Sequence, residues 1–111
     1  MPYDATLVDR IRQALAKQQR PVREVTMFGG LTFMVNEKMA AVAKATGALM
    51  VRCDPDVTDD LLQRTGAEWP EMRGRPMTKG WIVVQPSGIG SKKDVDFWLR
   101  QALAYNAKSR K

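Results

Sequence analysis

The sequence predicts an α+β domain in which helices pack on an antiparallel sheet of about five strands, in the order α-β-β-β-β-α-β-α. Three observations support this prediction. A helical apolar stripe opens the chain, four short apolar runs follow it, and a second helical stripe lies near the carboxyl end. Only tight turns separate the four runs. Such turns join antiparallel neighbours, because parallel strands need a crossover of about a dozen residues or more.

The first helix is predicted over residues 4–19, and Pro21 ends it. Its apolar residues recur at offsets of 0, 1, 4, 7 and 8, which places them on one face of an amphipathic helix. The residues of this stripe are Leu7, Val8, Ile11, Ala14 and Leu15.

Four strands are predicted next, each rich in apolar or β-branched residues. They cover residues 25–28, 31–35, 39–43 and 49–53. Turn-forming residues separate them, and glycine among these can supply the positive φ that tight hairpins need. The three turns contain Gly29-Gly30, Asn36-Glu37 and Gly47.

A second helix is predicted to begin at Asp54-Pro55, an N-cap followed by proline at the first helical position, and to end at Gly66. Residues 67–79 predict a long loop, because they contain Pro70, Gly74 and Pro76. At most one short extended piece is expected in this loop, near residues 68–69.

The last strand and the last helix complete the predicted order. The apolar run 81–85 reads as a strand that Pro86 ends. Ser91 is expected to cap the final helix, with Asp94 three residues on as its capping-box partner. The helix then repeats a single apolar face through Val95, Trp98, Leu99, Ala102 and Leu103.

Length and composition predict one domain, covering residues 1–111. The chain is 44% apolar and 27% charged, has no linker-like stretch, and has no apolar run long enough to cross a membrane. Its amino terminus lacks the pattern of a secretory signal. A single cysteine cannot form an internal disulfide, so we expect a cytoplasmic protein.

The absence of histidine narrows the chemistry that the sequence allows. It removes the commonest general base, the commonest zinc ligand and every Ser-His-Asp or Cys-His arrangement. Cys53 closes a predicted strand and is expected to be a buried apolar residue rather than a nucleophile. We therefore expect no enzymatic activity, no cofactor and no metal.

The four aspartates at positions 54, 56, 59 and 60 could bind magnesium, but helix capping and a solvated face are favoured.

The net charge of +6 is distributed unevenly along the sequence. Residues 1–53 carry 8 basic and 4 acidic groups, residues 54–71 carry 1 and 6, and residues 72–111 carry 9 and 2. The basic carboxyl-terminal third could attract phosphate backbones, bind a protein partner, or serve as a solubilising face. Its candidate contact residues are Arg73, Arg75, Lys79, Lys92 and Lys93. No pair of aromatic residues is interleaved with them, as a base-stacking platform would require.

Four segments taken together point to a known family. They are the run Met27-Phe28-Gly29-Gly30-Leu31-Thr32-Phe33, residues 49–52, residues 77–81 with Gly80-Trp81, and the helix that carries Trp98. In this order they resemble the amino-terminal domain of the TfoX/Sxy family of bacterial competence regulators, over nearly the whole chain.

The resemblance implies a compact α+β domain, similar in layout to secretion-chaperone folds, with no enzymatic activity and no established cofactor. It also implies a role in transcriptional control of DNA uptake, alongside the cyclic-AMP receptor protein. We expect a stand-alone copy of this domain, since longer members carry a carboxyl-terminal helical domain beyond the point where this sequence stops. Competence itself is then not necessarily the regulated process.

The residues that carry the resemblance are expected to be structural. Gly29 and Gly30 permit a tight hairpin next to Met27, while Phe28 and Phe33 fill the core beneath it. Trp81, which follows Gly80, and Trp98 are expected to pack strand against helix. Function is then expected on the surface around them.

The leading hypothesis is a non-catalytic regulatory or adaptor domain that binds a protein partner, such as the transcription machinery. The alternative is a nucleic-acid-binding module that uses the basic carboxyl-terminal third. A homodimer is also expected if three helices leave one face of the sheet uncovered.

The triple variant R73S/R75S/K79S tests the basic loop. We expect its melting temperature to stay close to that of the unaltered chain, because loop substitutions remove no core contacts, while capture of the partner from cell lysate weakens. Thermal unfolding and quantitative pull-down measure the two effects. Undiminished capture would count against this surface.

Overall fold

The fold is α+β, as the sequence predicts, and its centre is a six-stranded antiparallel sheet. The computed structural model describes residues 4–18, 21–27, 30–72, 75–76 and 80–108. None of the helices in these ranges combines the length and the apolar composition that crossing a membrane requires.

The helices are α1 (Ala5–Ala16), α2 (Thr58–Leu61) and α3 (Lys92–Lys108). The strands are β1 (Val22–Met27), β2 (Gly30–Val35), β3 (Lys38–Lys44), β4 (Leu49–Arg52), β5 (Ala67–Glu68), β6 (Glu71–Met72), β7 (Arg75–Pro76) and β8 (Trp81–Val84). The main sheet has the order β1-β2-β3-β4-β8-β5, while β6 and β7 form a separate two-stranded ribbon.

The predicted helical stripe of α1 is confirmed. Its five apolar residues are all buried, and the Asp4 carboxylate caps the helix by accepting hydrogen bonds from the Thr6 and Leu7 N–H groups at 2.8 and 3.1 Å. The cap satisfies amide groups that would otherwise lack intrahelical partners.

The turns between the first four strands depart from prediction at one point. Asn36 and Glu37 adopt φ values of 53° and 63°, and Gly47 adopts 90°, as tight hairpin turns require. Gly30, however, does not have a positive φ; a Cβ there would lie 2.1 Å from the carbonyl oxygen of Ala43. Glycine is needed because two backbones approach closely, and Gly29 lies outside the described residues.

The sheet has one strand more than the five predicted, because β5 pairs with β8 through Ala67 and Val84. The ribbon of β6 and β7 also lies within residues 67–79, where a long loop was expected. Each of these strands has two residues, which is too short for an apolar alternation to be visible in the sequence.

The second predicted helix is shorter than expected. A 3₁₀ turn covers Pro55–Val57, α2 follows for one turn, and the chain then passes through Gly66 with φ of 78°. Asp54 caps this segment as predicted, since its carboxylate accepts a hydrogen bond from the Asp56 N–H at 2.9 Å.

The main core lies between one face of the sheet and helices α1 and α3. Trp98 on α3 is 1% exposed, and Ile11 on α1 and Phe33 on β2 are fully buried. The prediction that Phe33 and Trp98 fill the core is confirmed.

The other face of the sheet carries a second, smaller buried cluster. The strand register aligns Thr32, Val42, Met50 and Val83 in one row across four strands, and all four are buried. Among the described residues, no helix contributes to this cluster. Within the described ranges, the helices therefore leave this face uncovered, as the homodimer expectation assumed, and the homodimer itself stays a prediction.

The edge strand β1 is lined by ion pairs. The Arg12 guanidinium group on α1 lies 2.7 Å from the Glu24 carboxylate. The Arg23 guanidinium group lies 2.6 Å from the carboxylate of Glu37, in the turn between β2 and β3. The hydrogen bond from Arg12 lowers the pKa of Glu24, so this carboxyl keeps its charge further into acid.

Replacing Trp98 with alanine should reduce the free energy of unfolding by about 3–5 kcal/mol, because it leaves a large cavity beneath α3. The matched control is Trp69→Ala, since Trp69 is 38% exposed. Its cost should be smaller by at least about 2 kcal/mol, because less apolar area is lost. Urea denaturation measures both variants, and equal costs would contradict the assignment of Trp98 to the core.

Candidate functional site

An arginine held between two aromatic rings lies where β4 ends and β8 begins. The register pairs Arg52 with Trp81, and the Arg52 guanidinium carbon lies 5.5 Å from the centre of the Trp81 ring. The same atom lies 5.5 Å from the centre of the Tyr105 ring on α3. Both distances fall within the range of a cation–π interaction. We call Arg52, Trp81 and Tyr105 the arginine–aromatic site.

Two contacts hold the last turns of α3 at this site. The Asn106 side-chain amide donates a buried hydrogen bond of 2.9 Å to the Val35 carbonyl oxygen at the end of β2. The Lys108 ammonium group pairs with the Asp54 carboxylate, two residues after Arg52. Since Asn106 and Lys108 follow Tyr105 within three residues on the same helix, these contacts restrain the position of its ring.

The ion pair between Asp54 and Lys108 is coupled to pH. The hydrogen bond from Lys108, together with that from the Asp56 N–H, lowers the pKa of the Asp54 carboxyl, and Asp54 in turn raises the pKa of Lys108. The folded-state pKa of Asp54 is therefore below its unfolded value. The pair is present at neutral pH and is lost as the pH falls through that lowered pKa.

Trp81 is positioned by the glycine that precedes it. Gly80 has φ of 106°, its N–H donates to the buried Thr58 hydroxyl at 3.0 Å, and its carbonyl accepts from the Cys53 N–H at 2.7 Å. A side chain at this position would be strained by the backbone conformation. Gly80 is therefore structural, as predicted, and it aligns β8 with β4.

The guanidinium group of Arg52 keeps its hydrogen-bonding capacity. Within the described part of the chain, Arg52 contacts the two rings and forms no ion pair or side-chain hydrogen bond. Arg52 is half-buried as a whole residue, and its guanidinium group carries five N–H donors in a planar fork. Such a fork matches the two oxygens of a carboxylate or the oxygens of a phosphate.

The surface around the guanidinium group is a shallow depression with no room for a water-sized molecule. It is lined by Lys38, Met39, Arg52, Ala102, Tyr105 and Asn106. Lys38 adds a second positive charge, while Met39 and Ala102 add apolar surface. The depression is too shallow to enclose a small molecule, so it suits contact with a larger surface.

Cys53, next to Arg52, lies on the opposite face of β4 and is fully buried. Burial raises the pKa of its thiol, and its closest polar side chain is the Thr58 hydroxyl at 3.7 Å. A buried thiol with a raised pKa is a poor nucleophile. Within the described ranges, no three His, Cys, Asp or Glu residues are grouped as metal ligands would be.

The residues predicted from the family motif are partly brought together. Trp98 and Phe33 lie in the main core, whereas Trp81 lies on the other face, half-buried beside the second cluster. Trp81 therefore packs against Arg52 and that cluster rather than against the helix side. For Met27 the structure describes only the backbone, in β1, and Phe28 lies outside the described residues.

The predicted basic contacts do not join the arginine–aromatic site. Lys92 and Lys93 are exposed at the start of α3, about 12 residues and so roughly 18 Å along the helix from Tyr105. Arg73 and Lys79 lie outside the described residues, and for Arg75 only the backbone in β7 is described.

A polar cleft of about 460 Å³ lies near the start of α3. The Arg64 guanidinium group covers the Phe97 ring there at 3.7 Å. The Ser91 hydroxyl accepts a hydrogen bond from the Asp94 N–H at 3.2 Å, which confirms its predicted role as a helix cap. Because Ser91 caps its own helix, the Gly88 to Lys93 segment offers no strong anion site.

The sequence alone did not identify Arg52 or Tyr105 as site residues. The alternation along β4 predicts that Arg52 and Cys53 lie on opposite faces of the sheet. The pairing of β4 with β8 and the position of α3, however, are long-range features. No local pattern in the sequence reports them.

Comparison with known proteins agrees with the resemblance found in the sequence. The family model described as the TfoX N-terminal domain matches residues 13–105. No curated protein and no solved structure matches the chain. The matched range includes the family-motif residues and all three members of the arginine–aromatic site. The chain therefore belongs to the TfoX N-terminal domain family.

Proposed function

We propose that this chain is a non-catalytic regulatory or adaptor domain that acts in cytoplasmic transcriptional control by binding another protein. Membership of the TfoX N-terminal domain family supports a TfoX-like role. The observation that carries the proposal is the arginine–aromatic site, where a half-buried guanidinium group has no anionic partner among the described residues.

The energetics of this site favour an intermolecular contact. Removing an arginine from water costs free energy unless its donors find acceptors, and the two rings compensate for part of that cost. Among the described residues Arg52 has no buried side-chain nitrogen that lacks a partner, so its N–H groups are accessible to water, which an external acceptor can replace. Arginine with tryptophan or tyrosine is also the combination most enriched where protein interfaces hold their binding energy.

The chemistry of the reactive groups supports a non-catalytic role. Cys53 is fully buried, and burial raises the pKa of its thiol. The neighbouring Asp54 carboxylate is used structurally, since it caps the following turn and pairs with Lys108.

The second candidate function is a nucleic-acid-binding module. Lys92 and Lys93 favour it, because both are exposed on the first turn of α3 and neither forms an ion pair within the described part of the chain.

The reactivity of Cys53 tests the non-catalytic proposal. Alkylation of the folded chain by iodoacetamide should be slower than that of the urea-unfolded chain by more than about 100-fold, because the thiol must first be exposed by opening of the fold. The difference should persist at pH about 8.5, where a free thiol is half ionised. Mass spectrometry follows the reaction. Equal rates in the two states would contradict a buried, inert thiol.

A capture experiment tests protein binding against nucleic-acid binding. Tagged wild-type chain, Arg52→Leu and the double variant K92S/K93S are each exposed to nuclease-treated lysate, and bound proteins are quantified. We expect Arg52→Leu to lose most of the captured protein and K92S/K93S to keep it.

The same three proteins are titrated with duplex and single-stranded DNA at about 50 and 200 mM salt. The adaptor proposal predicts weak binding without sequence preference. Tight binding that falls steeply with salt and depends on Lys92 and Lys93 would instead establish the second candidate. Equal capture by wild type and Arg52→Leu would contradict a role for the arginine–aromatic site.

A further inference from the structure

We infer that the arginine–aromatic site binds the carboxylate of an acidic side chain in a partner peptide that carries a basic residue nearby. This inference rests on the proposed protein-binding function and names the chemistry of the partner. Three features of the site support it: the form of the donor group, the shape of the surface, and the charges beside it.

The donor group favours a planar anion with two acceptor oxygens. Arg52 has a Trp81 ring and a Tyr105 ring 5.5 Å away, and neither ring uses a guanidinium N–H as a conventional hydrogen bond to oxygen or nitrogen. The rings also restrict the side chain, so less rotamer entropy is lost when an anion binds. Carboxylate and phosphate both satisfy these requirements.

The shape of the surface favours a macromolecular segment over a free metabolite. The depression has no room for a water-sized molecule and is too shallow to surround a ligand. Met39 is half-buried and lines it, which gives an adjacent aliphatic side chain a place to pack.

The neighbouring charges favour a peptide over a nucleic acid. Asp54 pairs with Lys108, which lies one helical turn from Tyr105, and Asp56 acts electrostatically on the same ammonium group. Asp56 is an exposed negative charge, while Lys38 lines the depression beside Arg52, so the charges around the site are of both signs.

A phosphate backbone carries a charge about every 3.4 Å along each strand, so a strand that reached Arg52 would bring further phosphates against Asp56. A peptide can instead place a glutamate or aspartate on Arg52 and a lysine or arginine beside Asp56. Opposite charges on both partners then fix the direction of the peptide.

The test uses the full chain labelled with nitrogen-15 and two acetylated, amidated hexapeptides, Ala-Leu-Glu-Ala-Lys-Ala and the same peptide with Gln in place of Glu. Nuclear magnetic resonance follows the indole N–H of Trp81 and the backbone amides of residues 52 and 105. The Glu peptide should shift these signals with saturation, and the Gln peptide should bind at least about tenfold more weakly.

Three variants locate the effect. Arg52→Leu should weaken binding of the Glu peptide at least about tenfold, and Arg52→Lys should weaken it less, since lysine keeps the charge but lacks the fork. The double variant K92S/K93S is the matched control and should bind as the wild type does. If Arg52→Leu does not give a dispersed spectrum, Arg52→Lys and the peptide pair still decide the question.

Inorganic phosphate and a short single-stranded DNA are tested at the same site. The inference is overturned if neither peptide binds at millimolar concentration, if the Glu and Gln peptides bind equally, or if DNA binds at Arg52 more tightly than the Glu peptide. Failure here, together with Arg52-dependent capture from lysate, would leave the adaptor function intact and reject only the acidic peptide. If the wild-type chain captured no protein from lysate, the proposed function itself would be rejected.

Discussion

The position of α3 on the sheet depends on a buried hydrogen bond near its carboxyl end. The Asn106 amide donates to the Val35 carbonyl, while Trp98 fills the core two turns earlier. Apolar packing alone is non-directional and would tolerate small shifts of the helix along the sheet. The hydrogen bond does not tolerate such shifts, because breaking it leaves buried polar groups unsatisfied at a cost of about 1–3 kcal/mol. The place of the Tyr105 ring follows from this constraint.

The features that were predictable from the sequence are those set by local patterns. The stripes of α1 and α3, the turn at Asn36-Glu37 and the cap at Asp54 each depend on residues within a few positions of one another. The pairing of β5 with β8 and the close approach at Gly30 depend on segments about 15 residues apart. Neither leaves a periodic pattern in the sequence, so both had to come from the structure.

The candidate site shows the same limit. Trp81 and the run that ends at Arg52 were recognised as family-motif segments, but their contact arises only because β4 and β8 are neighbours in the sheet. Tyr105, on α3, lies more than 50 residues from Arg52 in the sequence. The net charge of each segment also did not show which charges are paired in the fold, since Lys108 of the basic third is paired with Asp54 of the acidic segment.

The ion pairs along β1 bear on how the chain behaves when concentrated. An edge strand with free N–H and C=O groups is a template on which another chain can add a strand. Glu24 and Arg23, each engaged with a partner of opposite sign, place charged groups along that open margin. A second copy that paired with β1 would have to desolvate these charged side chains. Open-ended stacking of copies through β1 is thereby disfavoured.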